Sequence, residues 1–163
     1  MPTPQPVIRI ERTIPASPSE VYRAWLDPDL VRRWMAPGSF AATQVEIDAR
    51  VGGHYRIWHS DSGAAAGGFE SELLELVPDE RIVLRWGFAG PDRASGPVFD
   101  SLLTITLAEQ ASGTALTLVH ERLDDLAAAM PHVAQNVEAG WVDVLGQLTL
   151  LLAPSATPPR SAR

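Results

Sequence analysis

The sequence of 163 residues contains no cysteine and no lysine, and both absences limit what the chain can be. Without cysteine there are no disulfides, thiolate metal ligands, iron–sulfur clusters or cysteine nucleophiles. All 13 basic residues are arginine and 20 residues are acidic, which leaves a formal net charge of −7. A nucleic-acid-binding protein needs the opposite sign for its phosphate contacts, so we expect no nucleic-acid partner.

Long apolar runs and familiar catalytic motifs are also missing. No stretch approaches the roughly 18 apolar residues of a membrane span, and the N-terminus lacks the regions of a signal peptide. We therefore expect a cytoplasmic protein without membrane association. The sequence has no glycine-rich phosphate loop, Gly-x-Ser-x-Gly elbow or His-Glu-x-x-His pair. It predicts no cofactor, no metal site and no catalytic residues.

Proline is concentrated at both ends of the chain. Residues 1–6 and 154–163 hold three prolines each of the 14 in total. Proline fixes φ and donates no backbone hydrogen bond, which favours extended tails. The sequence therefore predicts two flexible tails around a single domain of residues 7–153, a length typical of one domain.

Local patterns predict an α+β domain. Ser17 and Glu20 form a capping box with Pro18 at the first helical position, and a second short helix follows Asp27. Alternating apolar residues and bend-favouring turns predict an antiparallel sheet, with a loop of small residues at 63–68. The predicted strands cover residues 7–14, 40–48, 54–59, 70–77, 81–87, 101–109 and 114–121.

A long amphipathic helix is predicted over residues 131–152. Its apolar positions are separated by steps of three and four residues, the spacing of one helix face. A helix of about 20 residues spans roughly 30 Å, enough to cross a sheet. Its apolar stripe should pack on the concave face of the β region. The apolar positions are Val133, Val137, Trp141, Val144, Leu145, Leu148 and Leu152.

Four motifs in this order resemble the START-like (SRPBCC) superfamily, specifically the bacterial proteins homologous to the activator of the Hsp-90 chaperone ATPase. The resemblance covers nearly all of residues 7–153. The matching stretches are residues 17–25 with Trp34, residues 50–53, residues 78–86, and Gly140-Trp141 with Leu145 and Leu148.

This resemblance implies the helix-grip fold of START and Bet v 1-like proteins, in which a curved antiparallel sheet wraps around the long C-terminal helix and encloses a hydrophobic cavity. Several relatives bind apolar small molecules, and some act in aromatic polyketide chemistry. The motif positions maintain the fold, so no catalytic set is carried over. The separate N-terminal domain of eukaryotic chaperone activators has no counterpart here, and a role as an Hsp-90 co-chaperone is not expected.

Nine residues are predicted to line the cavity. His59 and His120 lie on the inward faces of their strands, where a neutral imidazole could orient a ligand or act as a general base. The competing interpretation makes both of them hydrogen-bonded core histidines. Gly140 either permits a close approach to Trp141 by backbone or ligand, or lets the helix lie close to the sheet. The nine residues are Tyr55, Ile57, His59, Leu84, Trp86, His120, Val137, Trp141 and Leu145.

The expected function is the binding of a small, largely hydrophobic molecule between the long helix and the sheet. One alternative is a cyclase, dehydratase or hydrolase that acts on an aromatic or polyketide-like substrate. A second alternative is a protein-interaction or chaperone-associated module, which predicts a filled interior and an exposed apolar patch. The sequence leaves open whether the protein is a monomer or a homodimer.

Overall fold

The computed structural model describes residues 7–36, 40–61, 64–90, 96 and 98–154. In these parts of the chain, seven antiparallel strands form one sheet in the order β1-β7-β6-β5-β4-β3-β2. The predicted antiparallel sheet is therefore confirmed. The predicted tail at 1–6, and the one at 154–163 from residue 155 onward, lie outside the described residues. The strands are β1 (Ile8–Ile14), β2 (Phe40–Ile47), β3 (His54–Asp61), β4 (Ala64–Val77), β5 (Arg81–Ala89), β6 (Val98–Gln110) and β7 (Gly113–Glu121).

The helices begin where the sequence supplies caps. In α1 (Pro18–Leu26) the Ser17 hydroxyl accepts the Glu20 N–H at 3.2 Å. The Asp27 carboxylate caps α2 (Pro28–Trp34). The long C-terminal helix is α4 (Pro131–Leu152), with the bounds that its apolar spacing predicts.

One local prediction, the loop of small residues at 63–68, was wrong for its described part. Residues 64–68 belong to strand β4 rather than to a loop. Their glycines allow close backbone approach: a Cβ on Gly67 would lie 2.3 Å from the Ala89 oxygen, and one on Gly68 would lie 2.2 Å from the Ile57 oxygen. Asp124 and Asp125 begin a further short helix, α3 (Asp124–Ala129).

The core lies between the inner face of the curved sheet and the helices. Val137, Trp141, Leu145 and Leu148 of α4 belong to the same buried cluster as the inward side chains of the strands. The backbone of α4 packs most closely on α3, β1 and α2. Helix α4 therefore contacts the sheet mainly at the β1 side. Between the first half of α4 and strands β3 to β5 there is open space.

A candidate binding cleft between helix α4 and the sheet

A cleft of about 730 Å³ separates the first half of α4 from strands β3, β4 and β5. Small-molecule sites in proteins commonly measure about 300–1,000 Å³, so the cleft has the size of such a site. Met35 after α2 and Met130 before α4 complete the apolar lining. The helix-grip topology creates this space because a straight helix cannot follow the whole of a curved sheet.

Four aromatic side chains form the apolar wall: Phe69, Trp86, Phe88 and Trp141. The ring centroids of Phe69 and Trp86 are 4.6 Å apart, and those of Trp86 and Trp141 are 5.5 Å apart. Phe88 meets Phe69 edge-on at 5.6 Å. Because each ring packs against the next in a favourable tilted or edge-on geometry, we expect the wall to be largely preformed.

Small residues keep the cleft open on the helix side. Ala139 and Gly140 line it, and a Cβ built on Gly140 meets no described heavy atom within 4 Å. The interpretation that Gly140 lets the helix lie close to the sheet is therefore wrong, and within the described part of the chain no backbone atom lies within 4 Å of that Cβ position. The space beside Gly140 belongs to the cleft.

His59 lies in the cleft wall and is held there by the α2 segment. Its Nε2 atom is 2.8 Å from the carbonyl oxygen of Met35, and its ring meets Phe69 edge-on at 5.5 Å. A carbonyl only accepts hydrogen bonds, so Nε2 carries the proton in this contact. A bulge between Trp58 and Ser60 in the pairing of β3 with β4 falls at this histidine. Such irregularities often reorient a side chain at the edge of a site.

His120 lies behind the wall in a directed hydrogen-bond network. Trp141 Nε1 donates to His120 Nδ1 at 2.9 Å. Nδ1 therefore carries no proton, and Nε2–H donates to the Ser101 hydroxyl at 2.7 Å. Ser101 in turn donates to the Trp86 carbonyl at 2.8 Å.

The environment of His120 keeps it uncharged and fixes its role. Burial lowers the pKa of His120 from 6.5 to about 3. The hydroxyl of a nucleophilic serine must donate a hydrogen bond to the base nitrogen, whereas the Ser101 hydroxyl accepts a hydrogen bond from His120 and donates one to a carbonyl. The network thus orients the Trp141 ring rather than activating Ser101.

The structure brings only some of the predicted cavity residues together. His59, Trp86, Val137 and Trp141 line the cleft. The other five are buried in the core, outside the described lining of the cleft. They belong to the closely packed interior, where their side chains are fully buried. These five are Tyr55, Ile57, Leu84, His120 and Leu145.

Sequence reasoning missed the polar edge of α4, which consists of His132, Asn136 and Asp143. Successive members are separated by four and seven residues, so they lie along one side of the helix, with Ala139 and Gly140 between them. The Asn136 side chain donates to the His132 carbonyl at 2.7 Å, and Gln147 contacts Asp143 at 3.5 Å. The helical spacing of these three residues is the signal that could have revealed this edge, which borders the apolar stripe along the cleft.

The described residues contain no group of three or more side chains placed to hold a metal ion. No helix among them is long and apolar enough to cross a membrane.

Comparison with known structures supports the fold. The protein CV1439 from Chromobacterium violaceum is 38% identical, with a TM-score of 0.75 over 91% of this chain and 98% of that one. Protein Ms6760 from Mycobacterium smegmatis is 22% identical, with a TM-score of 0.75 and 91% of each chain covered. DynU16, from the dynemicin biosynthetic locus, is 25% identical, with a TM-score of 0.64 over 91% of this chain and 48% of that one.

A search of curated proteins gives no match. A family model, described as Activator of Hsp90 ATPase homolog 1-like protein, matches residues 15–153. The match spans both short N-terminal helices, most of the sheet and all of α4. The chain therefore belongs to the Activator of Hsp90 ATPase homolog 1-like family, within the START/SRPBCC superfamily.

Proposed function

We propose that the protein binds a small, largely apolar molecule in the cleft between α4 and the sheet. The observation that carries this proposal is the open space of about 730 Å³ beside Gly140, bounded by the aromatic wall of Phe69, Trp86, Phe88 and Trp141. Sites of this size with mostly apolar walls and a few polar groups are typical of small-molecule binding.

Apolar contact supplies the affinity in this proposal. A ligand that buries about 300 Å² of apolar surface gains roughly 7 kcal/mol before the cost of association. His59 would give the ligand orientation, because it lies in the wall with a fixed ring. His120 contributes indirectly by holding the indole of Trp141 in place.

The enzymatic alternative receives no support from the Ser101–His120 pair, whose hydrogen bonds run in the direction opposite to nucleophile activation. The interaction-module alternative predicts a filled interior, whereas the interior beside α4 is open. Neither alternative is favoured by a specific observation.

The test compares two leucine substitutions in α4. A leucine at Gly140 extends into the cleft, whereas a leucine at Gly146 extends into open space at an exposed position outside the described lining. The probe is pyrenemethanol, an uncharged apolar fluorophore, titrated by calorimetry and by quenching of tryptophan emission.

We expect saturable binding to the wild type and to Gly146→Leu. Binding to Gly140→Leu should weaken about tenfold or more, because about 55 Å² of lost apolar contact already accounts for such a change. The proposal fails if the wild type shows no saturation, or if both variants lose the same affinity.

A further inference from the structure

The cleft is long for its volume. Its lining on α4 runs from His132 to Val144, and at 1.5 Å of rise per residue these positions span about 18 Å. A volume of about 730 Å³ spread over this length has a mean cross-section of only about 40 Å². A cube of the same volume would measure about 9 Å along each edge. The cleft is therefore about twice as long as a compact cavity of its volume.

The aromatic wall occupies only one part of this length. Trp141 is the member of the wall on α4, and its ring centroid is 5.5 Å from that of Trp86, which in turn is 4.6 Å from that of Phe69. Val133 lines the cleft eight residues before Trp141, which places it about 12 Å away along the helix axis. A compact ligand that packs on the wall near Trp141 therefore does not reach Val133, whereas an elongated ligand contacts both.

Apolar surface continues along α4 between these two regions. Val133, Val137 and Trp141 all line the cleft, and because they are separated by steps of four residues they lie on one side of the helix. Met130 extends the apolar lining beyond Val133 at the start of α4. A ligand that lies along α4 thus buries apolar surface over its whole length, and each added apolar group that contacts the lining adds to the affinity.

We propose that the cleft selects an elongated apolar molecule, such as a straight row of linked aromatic rings, over a folded isomer of the same composition, and that Val133 contributes to this selection. The inference rests on the proposed binding function and names the shape class of the ligand. The elongated molecule contacts the aromatic wall and the start of α4 together, whereas the folded isomer contacts only one of the two regions.

The experiment compares two isomers of terphenylmethanol, which have the same rings and the same hydroxyl group. In the para isomer the rings form a straight row, and in the ortho isomer they are folded against one another. Each isomer is used to displace bound pyrenemethanol, whose fluorescence reports the bound fraction. The displacement curve gives the dissociation constant of the isomer.

The proteins are the wild type, Val133→Ser and Val142→Ser. Both valines belong to α4 and are similarly exposed, at 37% and 43%. Val133 lines the cleft, whereas Val142 lies outside the described lining. Val142→Ser therefore controls for the loss of an exposed valine from the same helix.

We expect the wild type to bind the para isomer about tenfold or more tightly than the ortho isomer, because about 55 Å² of additional apolar contact already accounts for such a ratio. Val133→Ser should weaken binding of the para isomer about three- to tenfold more than it weakens binding of pyrenemethanol. Val142→Ser should change the affinity for either probe by no more than about twofold.

Equal affinity of the wild type for the two isomers would overturn the inference, as would tighter binding of the ortho isomer. An equal effect of the two substitutions on the para isomer would also overturn it. In each of these cases, saturable binding of pyrenemethanol would still support the binding function. If pyrenemethanol does not saturate either, the binding function itself fails and the shape selection fails with it.

Discussion

The hydrogen bond from Trp141 to His120 allows a sharp test of how the cleft wall is held. Trp141→Phe removes the indole N–H and leaves the His120 Nδ1 acceptor buried without its donor. Trp25→Phe removes the same atoms from a fully buried tryptophan whose Nε1 has no hydrogen-bond partner among the described residues. The two substitutions therefore differ mainly in one hydrogen bond.

The expected magnitudes follow from this difference. Each substitution removes about 40 Å³ of side chain, which costs roughly 1 kcal/mol of unfolding free energy at about 24 cal/mol per Å³ of cavity. In Trp141→Phe the unpaired acceptor on His120 adds about 1–3 kcal/mol, for a total loss of about 2–4 kcal/mol. In Trp25→Phe the loss of a buried, unpaired N–H offsets part of the cavity cost, so the net loss should stay below about 1 kcal/mol.

Urea unfolding followed by far-ultraviolet circular dichroism measures both values, because this signal does not depend on the tryptophans that are replaced. The account predicts a clearly larger loss for Trp141→Phe. An equal or larger loss for Trp25→Phe would refute the argument that the His120 network stabilises the wall.

Three further predictions concern the stability of the protein: its dependence on pH, the effect of filling the open space beside Gly140, and the effect of removing a helix cap. Burial lowers the pKa of His120 to about 3 from 6.5, so between these pH values the folded protein holds fewer protons than the unfolded chain. Its unfolding free energy should therefore fall as pH falls from 6.5 towards 3, by up to about 1.4 kcal/mol per unit. Urea unfolding at several pH values in this range gives the unfolding free energy as a function of pH. This free energy should fall less steeply with falling pH in His120→Gln than in the wild type, and an identical pH dependence would contradict the prediction. Gly140→Ala and Gly146→Ala should each raise the unfolding free energy by about 0.5–1 kcal/mol, since no described atom lies within 4 Å of the added methyl. A loss of stability in Gly140→Ala alone, by the same assay, would show that the cleft is filled. Ser17→Ala removes the acceptor for the Glu20 N–H and should lower the thermal midpoint through a loss of about 1 kcal/mol. An unchanged midpoint would argue against the cap.

The sequence predicted the framework of the fold because that framework depends on local patterns. The spacing of apolar residues defined α4 at Pro131–Leu152, and the capping residue Ser17 marked the start of α1. The first part of β4 was missed because Gly67 and Gly68 are typical of loops in sequence. In the structure, glycine is required at these two positions by tertiary packing, because the backbone oxygens of the neighbouring strands leave no room for a Cβ.

The candidate site was less predictable than the fold. Strand alternation shows that Tyr55, Leu84 and Trp86 point inward. It does not show which of these side chains lines the open cleft and which is packed in the core. Only Trp86 of these three lines the cleft. The role of His120 depended on a partner 21 positions away in sequence, Trp141, and no local pattern contains that contact.

The most direct test of the central claim follows the indole N–H signals in a ¹H–¹⁵N nuclear magnetic resonance titration with pyrenemethanol, assigned through tryptophan-to-phenylalanine variants. Trp86 and Trp141 line the cleft, whereas the Trp34 indole is buried and donates to the Ala24 carbonyl at 3.0 Å. Binding between α4 and the sheet predicts saturable shifts of the Trp86 and Trp141 signals while the Trp34 signal stays in place. Unchanged Trp86 and Trp141 signals at saturating probe would contradict the account.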